Sequence, residues 1–269
     1  MRVVRPRSLL ARAAPPLAGG FVFAGVVALT TAACSVSEGE GGAKGNLNVP
    51  DCWSGPFQLN PDFFAGVPYR RSLELRVQEG GDYTTYSDGM DILVRDIDAV
   101  LGDGTTAKPP RLGEALPVRI PADVTPPGVP LTPDPAPSLV DFAVYLQHTC
   151  KTQNVTLYAG TEALNADGTC DGAGSAPPAC PTDATAAATA STPAAKTATS
   201  SITFTHLFNG NPDEPTASKR LTEASFDVYL ADPREVCPGG FGPPPRCRGH
   251  LTGSFRFYFE RGRPAQRFP

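Results

Sequence analysis

The sequence predicts an all-β protein: a two-layer antiparallel β-sandwich of about eight strands with long Pro-rich and Ala/Thr-rich loops. Three observations lead there. Several runs alternate apolar with polar residues, as strands with one buried face do. No stretch carries the 3.6-residue apolar spacing of an amphipathic helix. The chain also has 30 Pro and 27 Gly among 269 residues, which cut it into short elements.

Residues 50–269 are expected to form one domain. It opens with Cys52, Trp53, Phe57, Phe63, Phe64 and Tyr69, an aromatic group better suited to capping a core than to stacking sugars. Leu73, Leu75 and Val77 alternate with polar neighbours, and Ile92 with Val94 follow after a turn-rich stretch. Val118 and Ile120 mark a short strand. Ten Pro between residues 109 and 137 keep that connection at the surface, because Pro donates no ladder hydrogen bond. Phe142, Val144 and Leu146, then Val155 and Leu157, read as a hairpin.

Residues 161–200 are of low complexity. Positions 181–200 hold eight Ala, six Thr and two Ser with nothing large to bury, so the segment is expected as a loop. Three longer runs end the chain: Ile202, Phe204 and Phe208; Ala224, Phe226, Val228 and Leu230; and Leu251, Gly253, Phe255, Phe257 and Phe259. The last two are expected to pair across the loop between Cys237 and Cys247. No repeat of 20 to 50 residues is evident, which removes propellers and solenoids.

The first 33 residues have a different composition. Arg2, Arg5, Arg7 and Arg12 precede an apolar run from Leu17 to Ala33, and no charge occurs between Arg12 and Glu38. This is the layout of a secretory signal peptide. Its ending, Thr30-Thr31-Ala32-Ala33-Cys34, resembles the lipobox of bacterial lipoproteins. The resemblance covers about the first 35 residues and implies cleavage before Cys34, acylation of that residue, and a membrane partner held through the lipid. Ser35 after the cysteine implies the outer membrane. The Gly-rich stretch 34–49 is expected to be a flexible tether. The rest, with Arg263-Pro264-Ala265-Gln266 after a Phe-rich strand, resembles exported lipoproteins of unknown function.

Removing residues 1–33 takes away four of 23 basic residues and none of 27 acidic ones, so the formal charge moves from −4 to −8. Phosphate binding needs Lys and Arg clusters, so no nucleic-acid partner is expected. Six cysteines remain besides Cys34: Cys52, Cys150, Cys170, Cys180, Cys237 and Cys247. In an oxidising compartment they read as three disulfides. Local spacing suggests Cys170 with Cys180 and Cys237 with Cys247, leaving Cys52 with Cys150. Zinc at Cys237, Cys247 and His250 competes poorly, since the second short-spaced pair of ligands is missing. A calcium loop around Asp167, Asp171 and Gly172 is broken by Thr169 and Pro178, so no metal and no cofactor are expected.

No catalytic motif is present. The strings GxSxG, HExxH, GxGxxG after a strand and GxxxxGK[ST] are all missing. His148 and His206 continue the inward parity of their strands and are tested as a buried pair, with solvent-facing strand ends as the plainer alternative. The sequon at Asn154 is taken as accidental. The expected function is therefore binding or structure at the cell envelope, with carbohydrate or protein as ligand. Two alternatives remain: a component of a secreted assembly, or an exported hydrolase acting on polysaccharide or peptide. For the hydrolase, Glu74, Asp91, Glu223 and Asp227 are the candidate carboxylates, and it requires them to converge in a cleft.

Overall fold

A computed structural model describes residues 39–80, 87–104, 109–121, 138–165, 167–170, 196–211, 213–237 and 244–260. Cys34, Cys180, the leader and the Ala/Thr-rich stretch 171–195 lie outside them. Among the described residues there are thirteen strands: β1 (Gly39–Val49), β2 (Trp53–Leu59), β3 (Phe63–Tyr69), β4 (Ser72–Gln78), β5 (Asp88–Val94), β6 (Ala115–Pro117), β7 (Val140–Leu146), β8 (Thr156–Ala159), β9 (Thr161–Ala163), β10 (Thr197–Thr199), β11 (Ser201–His206), β12 (Leu221–Ala231) and β13 (Gly249–Tyr258). All strand pairs are antiparallel.

Eleven strands form one sheet that folds over at β12. One side of β12 pairs with β13 along its length. The other side pairs first with β11 and then, at Leu230 and Ala231 only, with β8. The layers part at that change of partner. One contains β2, β1, β13, β12, β11 and β6; the other contains β8, β7, β5, β4 and β3. Their inner faces meet through Phe142 against Phe226, with ring centroids 5.0 Å apart, and Phe64 against Phe257 at 5.7 Å. This is the expected sandwich, with an apolar core between two layers.

The alternation in the sequence locates the core correctly. Leu73, Leu75, Val77, Ile92, Val94, Phe142, Val228, Leu230 and Leu251 are all fully buried. Phe57, Phe63 and Phe64 are buried as well, so the aromatic opening of the domain is core, while Trp53 and Tyr69 face outward. The hairpins β7–β8 and β12–β13 form as expected.

Three expectations are corrected. Residues 39–49, read as tether, form β1, which pairs on both sides with β13 and β2. Its glycines let neighbours approach where a side chain would not fit: a Cβ on Gly39 would lie 2.7 Å from Phe64 and Phe257, and one on Gly45 would lie 1.9 Å from the His250 carbonyl oxygen. The supposed loop 161–200 begins and ends in strand, because β9 and β10 pair as a separate two-stranded ribbon. A short helix, α1 (Ile97–Leu101), also occurs; Asp96 caps it by accepting from the Ala99 N–H, and Ile97 with Val100 are its buried face.

The third correction concerns the covalent framework. Cys52 bonds Cys150, as expected, with Cα atoms 5.5 Å apart. Cys170 bonds Cys247, not Cys180, with Cα atoms 5.2 Å apart. That bond takes one cysteine from each of the two short closures and so excludes both. The cause is β-pairing: Ala163 donates to the Pro245 carbonyl and accepts from the Cys247 N–H, which lays the chain after β9 beside the chain before β13. Cys237 is disulfide-bonded too.

Candidate functional site

The outer face of the second layer gathers a group of neighbouring charged side chains. Strand register sets two rows across it. Glu74 of β4 lies opposite Leu93 of β5, which lies opposite Asp141 of β7. One row along, Arg76 lies opposite Asp91, then Ala143, then Tyr158 of β8. Glu74 and Asp141 are thus diagonal neighbours of Asp91, within reach of its charge. With Arg95 and Pro121, all of these residues except Arg76 line a groove of about 260 Å³.

The carboxylates in the groove differ in environment. Asp141 is buried and paired with Arg95 at 2.6 Å. Asp91 Oδ1 is shut off from solvent and accepts no hydrogen bond. Burial, reinforced by the charge of Glu74 and opposed by Arg76, pushes the Asp91 carboxyl up to about 6. Burial also raises Glu74, again opposed by Arg76. Burial first, and the Glu74 charge second, thus favour a protonated Asp91 in the groove.

A supporting network stands beside the groove. The Tyr145 hydroxyl donates to Gln78 Oε1 at 2.8 Å and accepts from Arg76 Nε at 3.1 Å. The Arg76 guanidinium lies over the same ring, 5.2 Å from its centre. Burial pushes the Tyr145 phenol up to about 12, so it stays protonated and keeps donating. This fixes Arg76 in its row against Asp91.

Of the four candidate carboxylates, Glu74 and Asp91 converge and line the groove. Glu223 and Asp227 lie on the outer face of the other layer, each engaged by a histidine: His206 Nδ1 is 2.9 Å from Glu223 Oε2, and His250 Nε2 is 2.6 Å from Asp227 Oδ1. The His250 ring stacks on Tyr229 with centroids 4.2 Å apart. Asp141, Arg76, Arg95 and Tyr158 were missed. Their outward parity was visible, but not which strands stand side by side.

Other candidates resolve into structure. His148 and His206 do not meet; His148 is exposed in the turn after β7, where its backbone N–H donates to buried Asp88, and His206 belongs to the opposite layer. Cys237 and Cys247 are disulfide-bonded and offer zinc no thiolate. Asp167 closes a turn by accepting from the Thr169 N–H and hydroxyl at 2.9 and 2.7 Å. Among the described residues no group of three or more His, Cys, Asp or Glu could hold a metal ion, and no helix is long and apolar enough to cross a membrane.

No family model matches the chain, and neither a curated protein nor a solved structure matches it significantly. The groove must therefore be interpreted from its own chemistry.

Proposed function

We propose that the protein is an exported, lipid-anchored binding protein of the cell envelope, at the outer membrane, whose ligand is a carbohydrate. Residues 1–33 act as the signal peptide and Cys34 carries the lipid. Two disulfides among the described residues, with a further bonded cysteine, support an oxidising compartment. The observation that carries the ligand class is the lining of the groove. Carboxylates of Glu74, Asp91 and Asp141 offer acceptors for hydroxyl groups and Arg95 offers donors, while Leu93, Pro121 and Tyr158 supply apolar surface for the C–H face of a sugar ring.

Calorimetric titration of the folded protein with envelope polysaccharides and their fragments tests this. Binding that weakens at least tenfold in Asp91→Asn and Glu74→Gln supports the groove; undiminished binding in both variants moves the site elsewhere. Intact mass of membrane-extracted protein tests the anchor, which requires an acylated Cys34.

A second reading, hydrolysis of a glycosidic bond, is favoured by one observation: Asp91, raised to about 6 beside Glu74, holds a proton at mildly acidic pH as a general acid must. A hydrolase would release reducing ends from a polysaccharide it binds, and either variant would abolish release. A binding protein releases none.

A further inference from the structure

The two-stranded ribbon of β9 and β10 hides a carboxyl group that serves neither the groove nor any ion pair. Glu162 is 0% exposed, and neither of its oxygens has a partner in hydrogen-bonding geometry; the nearby Gly160 N–H donates to the Tyr229 carbonyl at 3.3 Å instead. Buried polar groups are almost always paired, so an orphaned carboxyl calls for a physical account.

Its position supplies one. The ribbon springs from two adjacent points of the sandwich: β9 follows β8 through Gly160, and β10 leads into β11 through Ser200. These are the two strands that share one side of β12 where the layers part. Ser200 N–H donates to the Gly160 carbonyl at 2.9 Å, and the Ser200 hydroxyl bonds both the backbone carbonyl and the N–H of Tyr229. Glu162 sits just beyond this junction, opposite Ala198, with Gly160 and Ile120 beside its carboxyl.

We propose that Glu162 makes the docking of this ribbon proton-dependent: the ribbon lies closed while Glu162 carries its proton and lifts when that proton is lost. A neutral carboxyl tolerates an apolar site, whereas a carboxylate there has lost its hydration without compensation. Among the described residues the charge of no cation, Arg119 beside Ile120 included, is among the causes that set the Glu162 carboxyl. Tyr229 on β12 is close enough for the Glu162 charge to bear on its phenol, and it is neutral in this range. Across the ribbon β10 contributes Ala198, and Lys196 next to it acts on Asp167. Arg246 stands at the bridge to Ala163, and Arg248 is engaged by Glu235. Burial holds the Glu162 carboxyl well above the usual carboxylate range, and only the Gly160 backbone N–H opposes it, in part. The cheapest escape for the charge is local opening at Gly160 and Ser200, with Cys170–Cys247 keeping the lifted ribbon tethered.

Hydrogen exchange of the full chain between pH 6 and 10 tests this, with protection corrected for the intrinsic pH dependence of exchange. Ribbon amides at 161–163 and 197–199 should lose protection about tenfold per pH step of one above the Glu162 pKa, since one proton is released on opening. Amides of the β12–β13 ladder should not follow. In Glu162→Gln, which is neutral at every pH, ribbon protection should stay flat. Equal profiles in the two proteins, or no loss in the native chain, overturn the proposal. Should the variant fail to fold, infrared spectra of the native protein decide: a protonated-carboxyl band at pH 8 that fades together with ribbon protection supports the latch, and its absence at pH 8 overturns it.

Discussion

Tyr145 lies across Gly89 so closely that a Cβ on the glycine would sit 2.3 Å from the phenol oxygen and 2.6 Å from the Gln78 Cβ. The missing side chain is what lets the ring settle flat on the sheet and bring its hydroxyl between Gln78 and Arg76. Gly89→Ala is expected to push the ring off, break both hydrogen bonds and cost about 1–3 kcal/mol, as overpacking does. Urea unfolding measures the loss, and spectrophotometric titration should show the phenol falling back from about 12 toward its ordinary value.

The raised Asp91 carboxyl gives stability a definite pH dependence. The group binds its proton more tightly in the fold than in the unfolded chain, so folding is favoured most below the unfolded value of 3.8 and loses that advantage as pH rises to about 6. The loss approaches roughly 3 kcal/mol. Asp91→Asn should remove this slope and be more stable than the native protein at pH 7. Unfolding free energies at pH 4 and pH 7 for both proteins check it; parallel slopes would refute it.

Arg248 and Glu235 form an ion pair with side chains only 10% and 14% exposed. Removing one partner strands the other charge, so Arg248→Met and Glu235→Gln should each cost about 3–5 kcal/mol, while the double replacement should cost much less than the sum. A double-mutant cycle of unfolding free energies measures the coupling.

Cys52 and Cys150 close a loop of sequence separation 98. In the chain-entropy account, replacing both by Ala should destabilise by about 4–5 kcal/mol. The variant should unfold at lower urea with a steeper slope, since its unfolded chain exposes more surface.

The fold was largely legible in the sequence, and the groove was not. Period-two alternation identified Phe142, Phe226 and Phe255 as core because inward parity is a local property of a strand. β1 was missed because three of its six inward positions, Gly39, Gly41 and Gly45, carry no side chain, which dilutes the signal of buried Ala43, Leu47 and Val49; Phe64, Phe255 and Phe257 crowd Gly39 and Gly41, and the His250 carbonyl crowds Gly45. The pairing of Cys170 with Cys247 depends on the long-range contact of Ala163 with residues 245–247, which spacing cannot reveal. Asp91 and Asp141 show the same limit: each reads as an ordinary outward residue until β5 and β7 are known to be neighbours.

The placement of β1 has a mechanical consequence. It is the first described strand, and it runs antiparallel to both β13 and β2, hydrogen-bonded to each. A pull on its N-terminal end acts along the strand, so it strains both ladders in shear, and their bonds must fail together instead of opening one after another. A domain tethered from that side would resist being dragged apart by flow or by a bound, moving polymer far better than its modest size suggests.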